Sequence, residues 1–478
     1  MAFVRWALCA LAVCCPAFGQ LSLISSDARL VEAFNWAKRQ ALRYSFPNSA
    51  IGPWYEASLP GRNAFCMRDV AHQVTAAQLL GLAAANLNML RRFAASIAES
   101  RDWAGYWEID NHGGPAAADY RNDRDFWYNL PGNFVVLDAC LQAYLWTADH
   151  TYVDDPVFQN FYARTLDDYI RKWDREGTGI PQSRPEYGTR GLGSFTETMG
   201  HHIKIGSDLI AAQYAALLAG ARFQEMRRHP DAAHELRRRA EGLRERFNRD
   251  WWNATWLVFS TYELSDGQRR YDDSSSFFPL WFFLTEPGIK TERQLDVVLN
   301  LPSPPLFPAD RPHTNAAGPN VEELSYLPEI GFRYGRDQRG YDLLLRLADA
   351  KLDRREYPEV SFSVIRTIAC GLMGIEPDAA ARRIRTQPHL PPAVADVTLE
   401  HVPVFEGDVS VKHSGVVQTQ LVNRTGGTIE WQAAFPGRHS MIVVDGKPLQ
   451  ADAEAAANSV RISVQPGQTR TAAIPSPR

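Results

Sequence analysis

Between residues 28 and 372 the chain reads as helix after helix, joined by connections that alternate in length. Apolar residues recur at helical spacing over residues 28–42, 69–83, 87–97, 134–146, 158–173, 203–223, 232–251, 275–284, 291–299, 322–334, 339–352 and 359–372. The connections that follow the even-numbered stretches are short. Those leading into them are mostly long and rich in Gly, Pro, aromatic and acidic residues; the last of these, before residue 359, is short but holds Glu356 and Glu359. Consecutive antiparallel helices place every second connection at the same end of a bundle, so the unusual loops gather on one face. Long loops inside a compact domain are uncommon and often functional. Six helical hairpins closed into a ring, an (α/α)6 toroid, accommodate the pattern with the fewest crossings. The expected fold class is therefore mainly α.

The pattern changes near Gln387. Residues 388–392 form a Pro-rich link, after which apolar and polar residues alternate in short runs broken by Thr425-Gly426-Gly427, Asp445-Gly446 and Pro466-Gly467. That is the signature of a small β-sandwich. The expected division is a toroid over 20–387 and a sandwich over 388–478. Residues 1–19 read as a signal peptide: Arg5, a short apolar run at 6–15, and the small-x-small site Ala17-Phe18-Gly19. The run is too short to span a membrane. An exported protein, periplasmic or secreted, is expected. Cys66, Cys140 and Cys370 outlast the leader and form neither a disulfide framework nor a zinc spacing. A formal net charge of -4 supplies no basic surface for nucleic acid.

The long loops carry the chemistry. Arg68, Asp69 and His72 lie at the start of the second helix. Trp127, Tyr128 and Asn129 precede the fourth. Glu186, Glu197, His201 and His202 precede the sixth, and Asp272 and Asp273 the eighth. His313, Asn315, Asn320, Glu322 and Glu323 lead into the tenth, and Glu356, Tyr357 and Glu359 into the twelfth. Acids around an aromatic-lined cavity suit glycoside hydrolysis. One carboxyl protonates the leaving oxygen, and a second activates water on the opposite face of the sugar. Each of these acids also has a purely structural reading, since helix N-termini favour negative charge. His201 and His202 lack the i, i+4 spacing of a metal pair, and no cofactor is implied.

The aromatic-x-x-Arg-Asp run at Phe65, Arg68 and Asp69 resembles the Arg-Asp pair of the six-hairpin glycosidases, the group of glucoamylases and α-L-rhamnosidases. The run from Gly371 to Asp378, followed by the Pro-rich link and the sandwich, resembles the end of rhamnosidase-like members. The resemblance implies a glycoside hydrolase, inverting, with a carbohydrate substrate and no cofactor. It makes Glu197 the general acid and Glu359 the base. The substrate-binding residues would come from Arg68, Asp69, His72, Trp127, Tyr128, Asn129, Glu186, His201, Asp273, Glu322 and Glu356, with Glu186 and Glu356 also the rival acid and base. Two other readings stay open. One is a polysaccharide lyase or unsaturated-uronide enzyme using His72, His112, His201, Tyr128 or Arg190. The other is a non-catalytic glycan-binding protein.

Overall fold

A computed structural model describes residues 20–300 and 320–475. Residues 1–19, expected to be a leader, lie outside the described residues, as do His313 and Asn315. The helices are α1 (Ala28–Arg43), α2 (Met67–Leu79), α3 (Ala83–Ser96), α4 (Gly132–Thr147), α5 (Pro156–Arg164), α6 (Ser207–Met226), α7 (Pro230–Asp250), α8 (Phe278–Trp281), α9 (Ile289–Asn300), α10 (Leu327–Arg333), α11 (Asp337–Leu347) and α12 (Pro358–Arg366). Helix α5 runs through a π turn, Thr165–Tyr169, into Ile170–Trp173, and α12 through another, Thr367–Leu372.

Odd and even helices differ in composition, and the difference sets their place. Helix α7 buries one stripe, Ala233, Leu236, Ala240, Leu243 and Phe247, and turns its arginine-rich side outward. Helix α1 does the same with Leu30, Phe34, Ala37 and Ala41, and Asp27 caps its start by accepting from the Arg29 amide at 2.9 Å. By contrast, α2, α4 and α6 are buried on most sides. Helix α2 packs on α4, α4 on α6, α6 on α8, and α12 on α2, while α10 packs against the π turn that continues α12. Between α8 and α10 the circuit is joined by Arg333, which donates to the Leu280–Trp281 region at the Trp281 carbonyl (2.9 Å), and by the Tyr334 hydroxyl to the Leu280 carbonyl (3.0 Å). The odd helices lie outside: α1 on α12, α7 on α6, α11 on α10.

The sixth helix begins at Ser207, after a strand over Ile203–Gly206, and the eleventh ends at Leu347; two others depart further from their apolar patterns. The eighth is confined to Phe278–Trp281, because Phe283 adopts a left-handed φ of 54° and ends it. The tenth is split into Val321–Leu324 and α10, with Pro328 in the first turn of the second piece.

The β region has two sheets. An antiparallel sheet of seven strands runs in the order Ser22–Ser25, Asp396–Val404, Gly407–Ser414, Gln418–Asn423, Thr469–Ala473, Met441–Val444, Lys447–Gln450. A second, of five, runs Glu376–Asp378, Arg383–Thr386, Ile429–Pro436, Ala457–Val464, Asp452–Ala453, with Arg383–Thr386 and Ile429–Pro436 parallel. Alternate residues such as Val397, Leu399, Val409, Val411, Trp431, Ala433 and Ile462 are buried. Ser22–Ser25 and 376–386, on the helical side of the expected 387/388 division, are strands of these sheets. The sheets are tied to the helices: the Phe405 amide donates to the Trp146 carbonyl at 2.7 Å, and His413 Nε2 lies 3.0 Å from the Met373 carbonyl.

Candidate active site

The start of α2 is held by a short strand, Ala64–Cys66, paired with Glu108–Asp110. It fixes Arg68 at a helix start, facing the short helix Val321–Leu324. The Arg68 guanidinium donates to Asp69 Oδ1 (3.2 Å) and to Glu322 Oε2 (2.7 Å), and Glu322 is also held by Arg354 at 3.0 Å. Tyr357 donates its hydroxyl to Asp69 Oδ2 at 3.2 Å. Glu359, in the first turn of α12 behind Pro358, is fully buried, and its Oε1 lies 2.6 Å from His72 Nδ1. The His72 ring stacks on Tyr326, with centroids 3.8 Å apart and planes at 12°.

These groups back a cavity of about 470 Å³. Arg68, Glu322, Glu323 and Tyr326 form one side. Phe195, Thr196, Glu197, Asp272, Ser274, Ser275 and Phe278 form the rest of the described wall, with Phe277 and Asn320. Arg68 reaches to 5.9 Å from the Phe195 ring centroid. Glu359 lies one side chain behind the wall formed by Arg68 and Tyr326.

The electrostatics divide the acids. Burial pushes Glu359 up to about 8; Arg68 and the Tyr326 hydroxyl favour its charge, and Glu322 opposes it. Asp69 is also pushed up to about 8, by burial and by the charges of Glu359 and Glu322, against the pull of Arg68. Glu323 rises to about 8 through burial, though it is engaged in a capping box with Asn320. Glu322 is held below the usual range, since Arg68 and Arg354 outweigh its burial. Glu197, at the mouth, is raised by the desolvating walls, with Arg68 opposing. His72 is driven well below its usual value by burial and by Arg366, so its imidazole is neutral.

The structure thus brings together Arg68, Asp69, His72, Glu197, Glu322 and Glu359. It places the other expected residues differently. Tyr128 and Asn129 are fully buried: the Tyr128 hydroxyl donates to Asn133 Oδ1 (2.6 Å), and Asn129 donates to the Ser194 carbonyl (2.7 Å), so they brace loops rather than face the cavity. Trp127 is half-buried and donates to Asn129 Oδ1 at 2.8 Å, beside Glu197. Glu186 is exposed, 3.9 Å from Arg175. Glu356 is exposed, and its carbonyl accepts from Tyr44. Asp273 is buried next to the wall, and it is Asp272 that lines the cavity. The side chain of His201 lies outside the described residues. Arg190 is paired with Asp102 at 2.8 Å and stacks on Tyr187, which engages it in the scaffold. Among the described residues no cluster of His, Cys, Asp and Glu could hold a metal ion.

The sequence reading passed over Phe195, Phe278, Tyr326 and Arg354. Phe278 and Tyr326 were absorbed into apolar helical patterns, and Phe195 and Arg354 into loops. The only signal for them was their nearness in sequence to Glu197, Asp272, Glu322 and Glu359.

No family model matches the chain, and no curated relative matches it either. Solved structures do resemble it. A GH78 family rhamnosidase of Bacillus sp. GL1 superposes with a TM-score of 0.59 at 15% identity, over 84% of this chain and 40% of that one. An α-L-rhamnosidase from Dictyoglumus thermophilum gives 0.58 at 10%, over 95% of this chain and 50% of the other. A putative kojibiose phosphorylase from the human microbiome gives 0.56 at 8%, over 93% and 63%. The chain spans about two fifths to one half of the length of these rhamnosidases, and what it shares with all three is the fold.

Proposed function

We propose that the helical circuit is an (α/α)6 toroid and that the protein is an exported glycoside hydrolase acting on an oligo- or polysaccharide. The observation that carries this reading is the cavity wall where Glu197, Asp272 and Glu322 gather around Arg68, interleaved with Phe195, Phe278 and Tyr326, with the buried Glu359 behind it. Acids and one guanidinium suit sugar hydroxyls, and the rings suit the apolar faces of a pyranose. An anionic uronate would meet more carboxylates than cations here, which disfavours the lyase alternative. The fold shared with two rhamnosidases makes a deoxyhexose such as rhamnose the first sugar to try.

In this reading Glu197, open at the mouth with a raised pKa, donates the proton to the leaving oxygen. Glu359 takes a proton from water, and the anomeric configuration inverts. In the structure Glu359 is shielded by Arg68 and Tyr326, so these side chains must part when the sugar enters. One observation favours the opposite assignment: Glu359, at about 8, holds its proton at neutral pH as a donor should. The pH profile separates the two. With Glu359 as base, kcat/KM rises as pH increases through about 8; with Glu359 as acid, it falls through that value.

The test is hydrolysis of a panel of 4-nitrophenyl α- and β-glycosides, α-L-rhamnoside first, and of plant and bacterial oligosaccharides, by wild type, Glu197→Gln and Glu359→Gln. Turnover of one sugar, lost in both variants, is expected, with the first-formed product inverted by proton NMR. No turnover across the panel, or an unsaturated ultraviolet-absorbing product from uronates, overturns it.

A further inference from the structure

We propose that His72 is a positioning residue for Glu359, holding one carboxylate oxygen so that the other is presented for reaction. The inference rests on Glu359 taking part in the chemistry as read above.

The geometry distinguishes the two oxygens of Glu359. Oε1 lies 2.6 Å from His72 Nδ1, and the Tyr326 hydroxyl also bears on the carboxylate, whereas Oε2 is buried and meets no donor in hydrogen-bonding geometry among the described residues. A buried carboxylate oxygen left unmatched is costly, and such oxygens collect at functional sites. The imidazole is neutral and has one N–H to give. Ser363 Oγ lies 3.4 Å from Nε2; we take its hydroxyl as the donor to that nitrogen, which puts the hydrogen on Nδ1, directed at Oε1. The ring cannot turn away. One face stacks on Tyr326, and Trp281 meets it edge-on, centroids 5.4 Å apart at 75°. The fixed N–H therefore stops the carboxylate rotating about its terminal bond. Without it, the Tyr326 hydroxyl and the Arg68 guanidinium are the donors left to Glu359, and a carboxylate swung onto that guanidinium would be a weaker base pointed the wrong way. The proton that Glu359 gains from water rests on Oε2, and the Nδ1 hydrogen stays where it is.

The same contact affects titration. Charged and titratable groups facing Glu359 are Arg68, Asp69, Glu322, Tyr326, Arg354 and Tyr357; those facing His72 are Arg68, Glu329, Arg333 and Arg366. None of them changes when the imidazole is replaced, so a shift of the Glu359 limb reports the lost N–H.

The experiment uses the 4-nitrophenyl glycoside turned over most rapidly in the panel, with His72→Leu, His72→Asn and Glu359→Gln compared as full-length chains. The asparagine amide can place a donor near the Nδ1 position; leucine cannot. Expected for His72→Leu is a kcat lower by tenfold or more, on the order of one lost charge-assisted hydrogen bond, a KM within about twofold, and a Glu359 limb displaced upward by about one pH unit. His72→Asn restores most of kcat and returns the limb. His72→Leu combined with Glu359→Gln is no slower than Glu359→Gln alone. If Glu359→Gln abolishes turnover but both His72 variants keep the wild-type kcat and limb, the positioning role is wrong and the function stands. If Glu359→Gln retains turnover, the role of Glu359 fails, and this inference with it. Should His72→Leu not fold, His72→Phe, which keeps a ring against Tyr326 but has no donor, takes its place: a wild-type kcat and limb in that variant contradict the proposal.

Discussion

Glu359 and Glu329 are both fully buried glutamates on neighbouring inner helices, and His72 touches the network of each. Their surroundings are opposite. Glu329 is gripped by two guanidiniums, Arg333 at 2.5 Å and Arg366 at 2.8 Å, and Arg366 also donates to the His72 carbonyl at 3.3 Å. Those cations outweigh its burial and hold its carboxyl below the usual range. Glu359 is given one neutral imidazole, a phenol and a more distant Arg68, and burial drives it up to about 8. The first arrangement fixes a charge in place. The second leaves a proton exchangeable and an oxygen unmatched. Burial alone therefore says little about what a buried acid is for; the charge count around it decides.

The comparison breaks first on stability. Glu329→Gln leaves the buried Arg366 and the partly exposed Arg333 without a counter-charge and is expected to cost about 3–5 kcal/mol. Glu359→Gln removes a charge that burial disfavours, and its stability should equal or exceed that of wild type. Denaturant midpoints measure both, and the reverse ranking would mean that the two environments have been misjudged.

Next comes pH. The folded-state pKa of Glu329 is depressed, so its contribution is present above the unfolded value near 4.5 and is lost as pH falls through the folded value. For Glu359 the folded value is raised, so the folded state binds the proton more tightly. Stability then declines as pH climbs from about 4.5 to about 8. Thermal unfolding across this range should show the decline in wild type and a flatter profile in Glu359→Gln. An unchanged slope counts against the raised carboxyl. The smallest effect belongs to the loop scaffold: Tyr128→Phe loses the hydrogen bond to Asn133 and should cost about 1 kcal/mol while kcat stays the same. A large loss of kcat in that variant would return Tyr128 to the site.

Much of this was legible in the residues because it rests on local pattern. One-sided stripes on α1 and α7 and all-round apolar helices such as α4 are visible without coordinates, and so is the placement of Arg68, Glu197, Glu322 and Glu359 at one end. What stayed hidden depends on distant pairing. Ser22–Ser25 joins a sheet by bonding to Val397–Glu400, which no local signal announces. Tyr128 and Trp127 are adjacent aromatics in one loop, yet one is core and the other stands by Glu197: Tyr128 opens the short buried strand Tyr128–Asn129 and Trp127 lies just outside it. Tyr326 reads as one more apolar helical position, although it separates Glu359 from the cavity.

The most direct measurement is turnover of the best 4-nitrophenyl glycoside by wild type, Glu359→Gln and Glu329→Gln, each normalised to folded protein at a temperature where all three are native. Expected is a loss in kcat of at least about 100-fold for Glu359→Gln, as for a missing acid or base, and a near wild-type kcat per folded molecule for Glu329→Gln. Equal turnover by Glu359→Gln, or a loss shared by both variants, would contradict the division of these two glutamates into one that reacts and one that holds the fold.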